Sequence, residues 1–231
     1  MGKRPKDSPA GPAAVPGSQA ALSPFSRLAL ALLLALWAGL GLGFIRSSAP
    51  TYDEAVHLAS GYSYWATGRY RLNVMDHPPF AEMLSAVPLL FLRPQLFQSH
   101  PFFQEGRLYH YADIFLFNNT LHADRLAGAG RAFSFLTLSA LLAWALVRWA
   151  RRLGGAPAAL GAVWAAALTP VLLSNLCLIT TDGASSVLFF LVFHLLSAER
   201  IRPGVWALSG ACLGLALASK FNMILLLPLA G

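Results

Sequence analysis

Apolar positions run almost unbroken through residues 28–44, 132–149, 156–173, 184–198 and 204–219. Each stretch approaches the ~20 residues that a helix needs to cross a bilayer. The pattern therefore predicts an integral membrane protein built from helices. Between the first and second runs lies a long mixed segment, 46–130, without an uninterrupted span. Inside it, residues 53–67 place Ala55, Leu58, Ala59 and Tyr62 on one helical face, and Gly68 follows as a stop signal. Pro78-Pro79 predicts the start of a second short helix over 80–92, apolar enough to lie in the membrane interface. Residues 93–124 mix aromatics, histidines and charges, and their pattern assigns no element. At the far end Lys220-Phe221-Asn222 interrupts the apolar pattern before 223–230 resumes it.

Composition agrees. Of 231 residues, 56% are hydrophobic and only 12% charged, about half the charged fraction of soluble domains. Residues 1–26 are rich in Pro, Ala, Gly and Ser and predict a disordered tail, leaving 27–231 as the membrane domain. A basic start before an apolar run also fits a signal peptide, with Ser47-Ser48-Ala49 resembling a cleavage site. Pro50 after the cut and the length of the run favour an uncleaved first helix instead. Cys177 and Cys212 both fall in apolar runs without metal-ligand spacing, which predicts small buried side chains.

A net charge of +7 would suggest nucleic acid in a soluble chain. Here its distribution explains it better. With a cytoplasmic N-terminus, that side carries nine bases (Lys3, Arg4, Lys6, Arg27, Arg148, Arg151, Arg152, Arg200, Arg202) against two acids, Asp7 and Glu199. The other side carries eight of each. The positive-inside rule then turns the 46–130 loop outward, together with the polar break from Asn175 to Asp182.

Those two polar regions hold the candidate chemistry. Asp53-Glu54 directly follows the first span. Two acids there suit a helix N-terminus, with Thr51 as cap, and they equally suit a general base, a partly desolvated acid tuned by its neighbour. In Asp76-His77-Pro78-Pro79 the prolines restrict the backbone and aim the preceding side chains; a plain helix start is the alternative. Asp182 stands at the entry of a span, where a cap and a functional acid are both reasonable. Lys220 is either a snorkelling side chain or a phosphate ligand. Five of the six histidines, including His57 and His77, lie in the long loop, yet no HxH or HExxH spacing marks a metal site.

The order of these features resembles a known family. DE after the first span, D-H-P-P in the first loop, A-D-R-L-x-x-x-x-R before the second span, T-D heading an apolar run and G-L-A-L-x-S-K ahead of L-L-L-P are similar to glycosyltransferase family 39. That family holds the dolichyl-phosphate-mannose protein mannosyltransferases and their bacterial relatives. The resemblance implies a GT-C fold: an all-α transmembrane bundle with a large outward-facing first loop carrying interfacial helices. It implies a polyprenyl-phosphate-linked sugar as donor and a protein or glycolipid acceptor. Asp53 matches the family's catalytic acid, with Glu54 beside it. His57, Asp76, His77, Arg131, Asp182 and Lys220 are the expected substrate-binding residues, Lys220 or Arg131 steadying the leaving phosphate. No metal is assigned, a divalent cation is not favoured, and no nucleic acid is expected. The implied location is the bacterial inner membrane, N-terminus cytoplasmic and active face extracytoplasmic. Members of the family usually have ten or more spans, so this chain is expected to correspond to their N-terminal half. The competing expectations are a non-catalytic module or inactive fragment, and a transporter half, for which no internal repeat is visible.

Overall fold

A computed structural model describes residues 21–197 and 202–227, and it is helical throughout, with no strand among them. The tail expected over residues 1–26 therefore falls largely outside the described residues. Its last residues are already helical: Ser23 accepts a hydrogen bond from the Ser26 N–H at 3.1 Å, and Pro24 occupies the first turn. This cap starts α1 (Pro24–Ser47), four residues ahead of the apolar run that announces it.

After α1 the chain builds a layer of short helices: α2 (Tyr52–Thr67), α3 (Phe80–Ala86), α4 (Leu89–Leu92), α5 (Pro101–Gln104) and α6 (Leu108–Phe117). Gly68 ends α2 in the left-handed conformation, φ 65°. The single helix expected over 80–92 breaks between α3 and α4, where Pro88 lacks an amide hydrogen. The layer has its own core, in which Leu58, Tyr62, Leu89, Tyr111 and Phe115 are buried together. Residues 93–124, unassigned from the pattern, thus supply the wall against which α2 packs.

The bundle follows. Residues 123–167 form α7, in fact two rods parted at Gly154-Gly155, where Gly155 has φ 68°. The first rod, 123–153, is about 46 Å long by its rise per residue, well beyond the ~30 Å apolar thickness of a bilayer. Its first turns therefore stand in the loop layer, and the helix starts nine residues before the expected 132. The second rod does not run on to 173. Leu168 and Thr169 leave it, and Pro170 opens a separate helix, α8 (Pro170–Cys177). α8 and α9 (Thr181–Leu196) meet at 114°, so the polar break forms a sharp bend. α10 (Pro203–Leu217) packs on α9, and a 3-10 turn (Phe221–Leu226) closes the described chain.

Among the described residues two helices, α1 and α7, are long and apolar enough to cross a membrane, and the bent α8–α9 pair makes a third if it counts as one span. α1 runs antiparallel to α7, Leu30 lining the same groove as Arg148 while Gly41 faces Phe135. Trp37, Phe135, Val163, Cys177 and Val187 fill the bundle core. Both cysteines are buried and unbridged, as the pattern predicts.

Within the layer, helices meet through small residues. A Cβ on Gly61 would come within 2.1 Å of the Glu82 carbonyl oxygen, so α2 and α3 meet backbone to backbone there. Gly61→Ala should therefore cost about 1–3 kcal/mol, the usual range for overpacking, whereas Gly128→Ala, whose Cβ meets nothing within 4 Å, should be close to neutral. Denaturant titration of both variants in detergent measures the difference, and equal stabilities would show that α3 yields freely.

Candidate functional site

The seam between layer and bundle is organised by one acid. Glu54, in the first turn of α2, has turned inward and is 1% exposed. Its carboxylate accepts Nε of Arg131 at 2.7 Å and Nη2 at 2.5 Å. It also accepts the Ile179 amide at 2.9 Å and the Thr51 amide and hydroxyl at 2.8 and 3.0 Å. Burial disfavours its charge, but the Arg131 hydrogen bonds and the two amides outweigh it and hold the carboxyl below its usual range. Arg131 in turn donates to the carbonyl oxygens of Ser48 and Ala49 at 2.7 and 2.8 Å. One ion pair joins the end of α1, the start of α2, α7 and the α8–α9 bend.

Two expectations change with it. Glu54 was expected to tune Asp53, but its charge is spent on Arg131. Arg131 was expected on the rim as a phosphate ligand; it is 1% exposed, and Nε, Nη1 and Nη2 each donate to a protein oxygen. Adjacent helical residues point about 100° apart, so if one acid of the pair turns in, the other turns out.

Asp53 is the one that turns out. It is exposed and lines a polar cavity of about 380 Å³ with His57, Asn73, Asp76, His77 and Tyr109. Tyr109 is held by stacking on Tyr52, centroids 5.4 Å apart. His57 forms the buried side of the cavity. Its Nδ1 lies 2.9 Å from Oε1 of Glu82, and that oxygen also accepts Asn73 Nδ2 at 2.5 Å. Glu82 is 1% exposed, and burial pushes its carboxyl up, against the opposing pull of His57, Asn73 and Tyr64. Glu82, Asn73 and Tyr109 were not among the candidates. A single acid inside the apolar stretch 80–92 was the available signal for Glu82; nothing marked the other two.

The Asp-His-Pro-Pro turn stands between this cavity and the bundle. His77 packs edge-on against His57, ring centroids 5.0 Å apart, and its carbonyl oxygen accepts the Tyr70 hydroxyl. Phe80 N–H donates to the Ala218 carbonyl oxygen at 2.8 Å, docking the turn on the end of α10. Next to that contact Lys220 pairs with Asp182 at the start of α9. Asp182 and Lys220 both act on His77, as does Asp76. Asp53, His57, Asp76 and His77 thus share one cavity. Asp182 and Lys220 form a second polar cluster across the turn, and Asp182 also borders a separate cavity with Asn175 and Ser186. Among the described residues no three His, Cys, Asp or Glu side chains cluster as a metal site requires.

The ion pair is readily tested. Removing one partner of a buried pair costs about 3–5 kcal/mol, because the other charge is left without compensation. Glu54→Gln and Arg131→Met should each lose about that much, and the double variant Glu54→Gln/Arg131→Met should be less destabilised than their sum. A double-mutant cycle by denaturant unfolding measures this; additive losses would show that the two side chains act independently.

The turn makes a pH prediction. Burial, with His57 next in weight and Lys220 beside it, lowers the His77 pKa from 6.5 despite Asp76 and Asp182. The unfolded chain then takes up a proton that the folded imidazole refuses, so stability declines as pH falls through about 6.5. Glu54 contributes in a separate window, since its lowered pKa costs stability only below about 4.5. Melting temperatures at pH 7.5 and 5.5 should drop in the wild type and drop less in His77→Gln. The same slope in both would remove His77 as the cause.

A family model described as dolichyl-phosphate-mannose-protein mannosyltransferase matches residues 124–230, a little under half of the chain. No curated protein and no solved structure matches. The matched stretch contains Arg131, Asp182 and Lys220, and the Asp53 cavity outside it is fastened to it through Glu54 and the Phe80–Ala218 contact. The chain thus joins an all-α fold with membrane-length helices to a stretch, residues 124–230, that is similar to the dolichyl-phosphate-mannose-protein mannosyltransferases.

Proposed function

We propose that the chain transfers a sugar from a polyprenyl-phosphate-linked donor to an acceptor hydroxyl at the Asp53 cavity, on the extracytoplasmic face. The carrying observation is the division of labour in the acid pair. Glu54 is locked by Arg131, while Asp53 opens into a polar cavity beside an aromatic ring suited to a sugar face.

In this reading the Asp53 carboxylate takes the proton of the acceptor hydroxyl as its oxygen attacks the anomeric carbon. The bond from that carbon to the phosphate oxygen breaks, and the polyprenyl phosphate leaves with the electron pair. Lys220 is a cation acting on His77 of the turn; exchanging Asp182 for the leaving phosphate would neutralise the developing charge. His57, backed by Glu82, and His77 fix the cavity wall and can hydrogen-bond the sugar hydroxyls. Sidedness is supported by charge. All eight acids among the described residues lie in 53–124 or at 182, while Arg27, Arg148, Arg151 and Arg152 gather at the opposite end, the cytoplasmic one by the positive-inside rule.

Asp53→Asn keeps the shape but removes the proton acceptor. Turnover should fall about 10²- to 10⁴-fold, with donor affinity retained, when transfer from a polyprenyl-phosphate sugar is followed in vesicles containing the chain. Near-normal turnover of Asp53→Asn would overturn the assignment.

A further inference from the structure

Two carboxylates are buried among the described residues, Glu54 and Glu82, each 1% exposed. Glu54 is compensated by Arg131 and fastens helices. Among the described residues no arginine or lysine pairs with Glu82; its Oε1 meets Nδ1 of His57 at 2.9 Å and Nδ2 of Asn73 at 2.5 Å. A buried acid without a permanent cation is expensive, and an apolar side chain of similar size would serve the packing of α3 as well. What Glu82 holds is the wall of the Asp53 cavity, because His57 and Asn73 both line it. Asn73 is fixed a second time, its backbone N–H donating to the Tyr64 hydroxyl at 3.0 Å.

This geometry decides where the imidazole carries its proton. Asn73 Nδ2 can only donate, which marks Oε1 as an accepting oxygen and Nδ1 of His57 as the nitrogen that holds hydrogen. A neutral imidazole has a single N–H, so its other nitrogen is an acceptor. That nitrogen, Nε2, bonds to no protein atom among the described residues, and unlike Oε2 of Glu82 it is not sealed from solvent.

We propose that Glu82 is a positioning residue that holds His57 in the Nδ1–H form, so that Nε2 accepts a hydrogen bond from a hydroxyl of the donor sugar. This rests on the sugar-transfer reading of the Asp53 cavity. A hydroxyl brings the proton that Nε2 needs, whereas a phosphodiester oxygen brings none and is repelled by the bare lone pair. The imidazole therefore selects the sugar end of the donor and leaves the phosphate to the Lys220 side of the turn. No proton leaves the imidazole or reaches it during transfer: His57 orients the sugar, and Asp53 takes the proton of the acceptor.

Nitrogen-15 NMR of the full chain in detergent at pH 7.5, with labelled histidine, reads the two ring nitrogens directly. The His57 signals, assigned by their disappearance in His57→Gln, should show a protonated Nδ1 and a bare Nε2. Glu82→Gln, whose amide oxygen still accepts, should keep that pattern, and Glu82→Met should lose it. Transfer from polyprenyl-phosphate mannose and its monodeoxy analogues is the second readout. The wild type should use one of the analogues markedly less well than the full sugar. Glu82→Met should lower kcat/KM for the full sugar about tenfold to a hundredfold, as for carboxylates that orient histidines in metal sites. It should also abolish the preference over that analogue, and Glu82→Gln should restore most of both. A wild-type His57 protonated at Nε2, alone or together with Nδ1, overturns the proposal. So does an equal loss with every donor in Glu82→Met, or equal damage from Glu82→Gln, since Glu82 would then serve the fold alone. If the wild type transfers no sugar, the reading of the cavity fails, while the tautomer and its loss in Glu82→Met still decide the part played by Glu82.

Discussion

The buried pair of Glu54 and Arg131 is the constraint on which the site depends. It is the point where the loop layer is fastened to the bundle: the carboxylate reaches α7 and the α8–α9 bend, and the guanidinium reaches the first carbonyls after α1. Burying two charges is expensive, and an apolar substitute of the same shape could be as stable. What an apolar contact could not supply is direction. Five hydrogen bonds to one carboxylate fix the rotation of α2 about its axis, and that rotation decides which neighbour faces the cavity.

The fastening explains why chemistry collects at the seam. The cavity is lined by α2, by Tyr109 of α6 and by the stretch from Asn73 to the Asp-His-Pro-Pro turn, and the turn rests on α10 beside the Asp182–Lys220 pair. None of these elements holds the arrangement alone. α3 is seven residues long, and isolated helices of that length are marginal in water. Its position follows from the close approach at Gly61 and from Glu82 bonding across to His57 and Asn73. A layer of short helices is rigid here because each is pinned by a polar contact as well as by packing.

Charge separates the two ends of the molecule. Among the described residues the acids lie in 53–124 or at 182, and Arg27, Arg148, Arg151 and Arg152 gather at the other end. A polar cavity and an apolar groove with a cationic mouth thus lie at opposite ends of the molecule.

How much of this was legible in the chain can be traced residue by residue. The apolar runs, Ser23-Pro24, Gly68 and Pro170 carry their meaning locally, because desolvating a backbone amide, capping a helix or losing an amide hydrogen involves only a few neighbouring residues. Helix class, approximate element order and the polar character of the 46–130 loop were therefore readable. So was the candidacy of Asp53, Asp76 and His77. The rotation of α2 was not: Asp53 and Glu54 are equivalent in pattern, and only Arg131, 77 positions away, distinguishes them. The same holds for Glu82 and Asn73, whose importance appears once Glu82 meets His57, 25 residues away, and accepts from Asn73. Residues 93–124 have mixed faces because they pack on α2 rather than on lipid, and a surface half-covered by another helix leaves no periodic stripe. Periodicity records which side chains share a face; which face meets which partner depends on long-range burial and pairing, and these exist only after the chain has folded.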